Sequence, residues 1–160
     1  MSEIEVIILQ LEQAFQRRSW HGTNLMGSIR GLKPAVAAWR PHPSRHNIWE
    51  LILRAAYWKY AVYRRLSGKA RGSFPLKGSN FFPRTEEKAT DAALKADIKL
   101  LKEQHAMLVD AVRGLDPSRF GSVPAGSEFT FRDLALGAAA HDLYHAGQIQ
   151  LLKRLRSGGR

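Results

Sequence analysis

The chain has 160 residues, 44% of them apolar, with 25 Lys and Arg against 14 Asp and Glu and a formal net charge of +11. That length suits a single domain over 1–160 with a proper buried core. The absence of cysteine excludes disulfides, thiolate-held zinc, iron–sulfur clusters and a cysteine nucleophile, so any metal would rest on His, Asp, Glu or backbone oxygens. The positive charge is spread over Arg17-Arg18, Arg64-Arg65, the stretch from Lys69 to Lys77 and the tail. No helix-turn-helix or zinc-finger pattern accompanies it, so a solvated basic surface is preferred and nucleic acid is a disfavoured partner.

The start, MSEIEVIILQLEQAF, has acids at positions 3 and 5 and lacks the basic opening and cleavage site of a signal peptide. No apolar run nears the ~20 residues of a membrane span, and a cytoplasmic location is the default expectation. Apolar residues Ile4, Ile8, Leu11, Phe15, Leu25, Met26 and Ile29 recur at helical spacing and predict a first helix over about 3–31. Gly22 would bend it midway, and Gly31 with Pro34 would stop it. The loop AWRPHPSRH holds two prolines. A second helix follows in NIWELILRAAYWKYAVYRRL, where Asn47 and Glu50 have capping-box spacing, and it ends at Gly68.

Residues 67–83, SGKARGSFPLKGSNFFP, form a long loop of the kind that is often functional. It lacks P-loop spacing, and Ser73 and Ser79 have no acid–histidine context for a nucleophile. Thr85, Glu86 and Glu87 open a third predicted helix reaching about Leu115, with a buried stripe of Leu94, Ile98, Leu101, His105, Leu108 and Val112. After a turn-rich segment, Thr130 and Asp133 cap a last helix to about Leu155, followed by a basic tail at 156–160. Four such helices, with no strand pattern, predict an all-α fold, an antiparallel four-helix bundle.

The last helix contains HDLYH. His141 and His145 lie one turn apart, so both imidazoles emerge on one face and can reach a single ion. Leu134, Ala138 and Gln148 share or border that face, which therefore points into the bundle. Equally, such pairs occur as hydrogen-bonded core residues. Gly147 admits a close neighbour, and Gln148 carries an amide for a bound water, a substrate or a buried polar group. Asp142 should point off the histidine face, and Glu50 reads as a cap residue. Tyr144 and Trp58 would line a pocket or fill the core.

The segment HDLYHAGQIQLLKRL resembles the terminal helix of the DinB/YfiT-like superfamily of metal-dependent four-helix-bundle proteins. SWHGTNLMGSIRGL is similar to that family's first helix, RHNIWELILRAAYWKYAVYRRL to its second, and RGSFPLKGSN to the loop after it in one branch. The resemblance implies a divalent ion, zinc or nickel, held by three histidines. His141 and His145 match two of them; the third belongs where this chain has Arg54 in IWELILRAAYW. Arginine offers only donors and cannot ligate a cation. It would either point at the site and favour an anion or run outward along Trp58.

His21, in SWHG, is the candidate replacement ligand; His46 reads as an end-of-helix hydrogen bonder, His105 as a satisfied core histidine and His42 as an exposed loop residue. The resemblance further implies a homodimer and a hydrolase or thiol-dependent transferase acting on a small molecule. The alternative is a non-catalytic bundle that holds a small organic anion through Arg54.

Overall fold

The computed structural model describes residues 1–158, which are helical with no strand among them. α1 covers Glu3–Phe15 and opens on a capping box between Ser2 and Glu5. The helix expected over 3–31 is broken here. Gly22 takes a left-handed φ of +94°, and Asn24 restarts the chain as α2, Leu25–Ser28. The Asn24 side chain spans the break, accepting from the Gly27 amide at 2.9 Å and donating to the Arg17 carbonyl at 3.0 Å. Pro34, expected as part of a stop, instead begins the short α3, Pro34–Ala38, where its fixed φ suits a first turn.

α4 covers Ile48–Ser67 and ends at Gly68, whose φ of +67° terminates it as expected. Asn47 caps it through the Glu50 amide, but the reciprocal arm of the expected box is not made. The Glu50 carboxylate turns instead to Arg40, His46 and the Arg84 amide. Residues 86–88, expected inside the third helix, form one 3-10 turn. The helix itself, α5, covers Asp91–Arg113 and is capped by Thr90. α6 covers Phe131–Arg156, with the expected Thr130–Asp133 box at its start. Of the basic tail, residues 159 and 160 lie outside the described residues. Among the described residues no helix is long and apolar enough to cross a membrane.

The four long helices pack as a bundle, as the sequence predicts. Contacts fix their directions. Trp49 meets Asp97, and ten residues on along α4 Lys59 meets His105, so α4 and α5 run the same way. α6 runs against α4: Val62 shares a recess with Ala138, Lys59 meets Asp142, and Arg54 shares a cavity with His145. Parallel neighbours need a long crossover, which is the physical reason for the loop at 67–83.

Two apolar clusters fill the interior. One gathers Leu25, Leu53, Ala56, Leu101 and Ile149, the other Leu11, Val62, Leu108, Ala135 and Ala138. Between them a polar chain crosses the bundle and takes one residue from each long helix. Lys59 Nζ lies 2.5 Å from Asp142 Oδ2 and 3.2 Å from His105 Nδ1, and His105 Nε2 lies 3.2 Å from Glu12 Oε1. Because the ammonium can only donate, His105 accepts at Nδ1 and donates from Nε2 to Glu12 as a neutral imidazole. Its pKa is pushed down to about 4, first by burial and then by Lys59, with Glu12 opposing. The Phe15 ring stacks on His105 at 3.7 Å. Burial pushes the Asp142 carboxyl up, while the Lys59 ammonium pulls against it.

Lys59 is 2% exposed, so removing it strands a buried carboxylate. Lys59→Met is expected to lower unfolding free energy by about 3 to 5 kcal/mol in urea titrations. Lys59→Met with Asp142→Leu should regain most of that loss, because the pair is then replaced by apolar groups of similar volume.

Candidate functional site

α6 buries more than one face, and the turn from His141 to Gln148 faces α4. His145 Nε2 lies 3.0 Å from His141 Nε2, and His145 Nδ1 lies 2.6 Å from Gln148 Oε1. With that carbonyl oxygen as acceptor, His145 carries its proton on Nδ1 and accepts at Nε2 from His141. Burial pushes His141 down to about 3, helped by His145, Arg54 and Lys59. It pushes His145 down to about 4; the Gln148 hydrogen bond opposes this and the Arg54 charge adds to it. Both rings are therefore neutral at neutral pH.

Arg54 is half-buried and shares an acceptor with Trp58, held by the crossover loop. Its guanidinium sits 4.4 Å over the Phe81 ring and donates to Asn80 Oδ1, which also accepts from Trp58 Nε1 at 2.9 Å. Asn80 holds a left-handed φ of +65°, a conformation asparagine tolerates better than most side chains. Phe81 stacks on His46 at 3.6 Å, and His46 Nδ1 bonds Glu50 at 2.9 Å. Burial would push Glu50 up, yet hydrogen bonds from Arg40, His46 and the Arg84 amide hold it below the usual carboxylate range.

Arg54, His145 and Gln148 line one cavity of about 630 Å³, together with Arg45, His46 and Tyr144. Among the described residues no Asp or Glu lines it. A separate apolar recess of about 250 Å³ is lined by Trp58, Val62, Leu134, Ala138 and His141 among others.

The remaining candidates fall elsewhere or take other roles. His21 is exposed in the connection between α1 and α2, and among the described residues no three His, Cys, Asp or Glu side chains gather as a metal group. His105 is the satisfied core histidine expected, His46 the end-of-helix hydrogen bonder, and His42 is exposed. Tyr144 is 65% exposed and stands at the cavity rim. Gly147 does not admit a close neighbour: it is exposed, and an added Cβ there would meet nothing within 4 Å. Asp142 points off the histidine face as expected, but that direction leads into the polar layer. Asn80, Phe81 and Lys59 carry no sequence motif. The left-handed Asn after Gly78-Ser79 is the one local signal that marks a shaped turn.

The sequence model of the DinB superfamily matches residues 18–149. The chain belongs to the DinB superfamily. Comparisons with curated proteins and with solved structures returned no match.

Against the three-histidine site implied by resemblance to the DinB family, this chain supplies two imidazoles. Their Nε2 separation of 3.0 Å is a hydrogen bond here. It is also roughly the spacing of two nitrogens at right angles about one ion at ~2.1 Å. Gln148 fixes the tautomer that puts the His145 lone pair on Nε2, where His141 donates to it; outer partners of metal-bound histidines fix tautomers in the same way. The position on α4 that should complete the set holds a guanidinium. The residues present therefore do not fit a three-histidine centre.

For His105, His141 and His145 the unfolded chain binds protons below the ordinary histidine pKa of about 6.5 while the folded chain does not. Stability should rise with pH across that interval and fall as the solution is acidified from about 6.5 toward 4. Proton NMR of the three rings should show no titration between about pH 8 and 5.5, and the urea midpoint should drop within the same series.

Proposed function

We infer that this DinB-superfamily chain binds a small organic carboxylate at Arg54, with the Gln148 amide N–H groups as neutral donors beside it. The observation that carries the reading is the state of Arg54. Its guanidinium is fixed by Phe81 and Asn80, yet its one hydrogen bond among the described residues leaves most of its five N–H donors uncommitted. Such a group at the edge of a ligand-sized cavity with no acid in its walls attracts a carboxylate through charge-assisted hydrogen bonds. Arg45 lines the same cavity and adds a second positive charge to that of Arg54, which suits a small carboxylate.

A panel of mono- and dicarboxylates tests this by thermal unfolding. A ligand at about 100 times its Kd should raise Tm by roughly 5 °C or more, and Arg54→Ala should abolish the rise. No rise with any carboxylate in the unsubstituted protein would remove the reading.

The second reading is a zinc or nickel ion at His141 and His145, under which hydrolase or thiol-dependent transferase chemistry would belong to this chain. The 3.0 Å pairing of the two Nε2 atoms and the Gln148 bond favour it. The expected metal content of untagged protein after reconstitution is below about a tenth of an equivalent, rising to about one in Arg54→His. A full equivalent in the unsubstituted protein would reverse the order of the two readings.

A further inference from the structure

Between Glu50 and Glu86 the chain has no acidic residue and eight Lys and Arg. Two of these are paired with buried carboxylates, Lys59 with Asp142 and Arg84 with Asp97. Of the others, Arg64, Arg65, Arg71 and Lys77 line one cavity of about 560 Å³ between the C-terminal half of α4 and the crossover loop. None of the four has a carboxylate partner among the described residues, and no acid lines the cavity. The Arg65 Nε atom is buried there without a hydrogen-bond partner. Burial, then the charges of Arg64 and Arg71, push the Arg65 pKa down, so the guanidinium sits where cations repel.

The loop that closes this cavity is held in place. The Tyr60 hydroxyl on α4 accepts from the Gly72 and Ser73 amides at 3.1 and 3.2 Å, and Phe74 packs edge-on against Tyr57 at 5.4 Å. Gly72 and Gly78 take left-handed φ values of +110° and +112°, which let the loop fold back over α4. The recess is thus a fixed concavity with four cations and an aromatic wall. Its volume falls within the range of small-molecule sites.

We propose that this cavity is a second binding site, for a small molecule bearing a phosphate or pyrophosphate group, held by Arg64, Arg65, Arg71 and Lys77. Guanidinium forks match phosphate oxygens two at a time, and clustered cations with no acid nearby are relieved by an ion of two or more negative charges. That distinguishes it from the Arg54 cavity, which two arginines line. Tyr57 and Phe74 give the body of the ligand a face to lie on. A nucleic-acid strand is disfavoured as occupant because the cations converge on one recess instead of following a groove.

Titration calorimetry of the full chain with pyrophosphate at about 150 mM salt tests this directly. The expected result is one ion per chain, weaker binding of orthophosphate, and a loss of roughly tenfold or more in each of Arg65→Gln and Arg71→Gln. Arg71 is exposed on the loop, so its variant reads binding without endangering the fold. Pyrophosphate that still binds Arg54→Ala with unaltered affinity places the ion away from the carboxylate site. The proposal is overturned by absence of pyrophosphate binding, by equal affinity in both loop-site variants, or by loss in Arg54→Ala alone. An oligonucleotide that binds and is not displaced by pyrophosphate overturns it too. Loss in Arg54→Ala alone would place the anion in the Arg54 cavity; the other outcomes do not bear on whether carboxylates bind there.

Discussion

Lys59 stands between Asp142 and His105 in the middle of the bundle, and the arrangement of everything around it follows from that position. A buried ammonium is tolerated only where acceptors converge on it. Here they come from α5 and α6, and His105 passes the chain on to Glu12 of α1. Rotating α6 by one residue would swing Asp142 through about 100° and strand both charges. The ion pair therefore sets the rotation and register of α6 against α4. Asp142 follows His141 in sequence and Lys59 follows Trp58, so the same constraint puts His141 opposite Trp58 and His145 opposite Arg54. An all-apolar interface would leave that choice to packing alone. This charged one penalises the alternatives.

The second constraint is topological. Because α4 and α5 run in the same direction, the chain must travel the length of the bundle between them, and the loop at 67–83 makes that journey. Its start lies on the Tyr60 hydroxyl, and its end delivers Asn80 and Phe81 to Arg54. The crossover thus supplies the partners that an arginine on the edge of α4 lacks within its own helix. Without them Arg54 would be free to extend into solvent. With them it is fixed where its charge reaches both histidines and helps keep them unprotonated.

Much of this is legible in the residues. Helical spacing and end signals give α4 and α6 nearly to the residue, because their caps at Asn47, Gly68 and Thr130 are local chemistry. The break after Phe15 is less legible. The apolar spacing continues across it, and only the Ser19-to-Asn24 run of turn and cap residues hints that the backbone leaves the helix. The start of α5 fails for a related reason: Thr85 and Thr90 both precede acids, and local sequence does not rank them. His141 and His145 are found by spacing, and the importance of Arg54 by its departure from the family pattern. The direction of Arg54 depends on Asn80, 26 residues away, and no periodicity encodes such a contact. Asp142 shows a subtler limit. The helical wheel places it off the histidine face correctly, but α6 is buried on more than one side, so off that face means into the core.

The resemblance implies a histidine where Arg54 stands, and under the proposed reading that difference would change the part played by the neighbouring imidazoles. A metal site needs neutral imidazoles, and His141 and His145 are neutral, so protonation is not what stands against an ion there. The obstacle is the fixed positive charge. A dication beside a guanidinium adds repulsion in a partly desolvated setting where charges are poorly screened, and the guanidinium brings no lone pair to offset it. A carboxylate in the same place reverses each sign. It would neutralise Arg54 and accept from the uncommitted guanidinium N–H groups. The two neutral rings, bonded to each other and to Gln148, would add no charge of their own beside it.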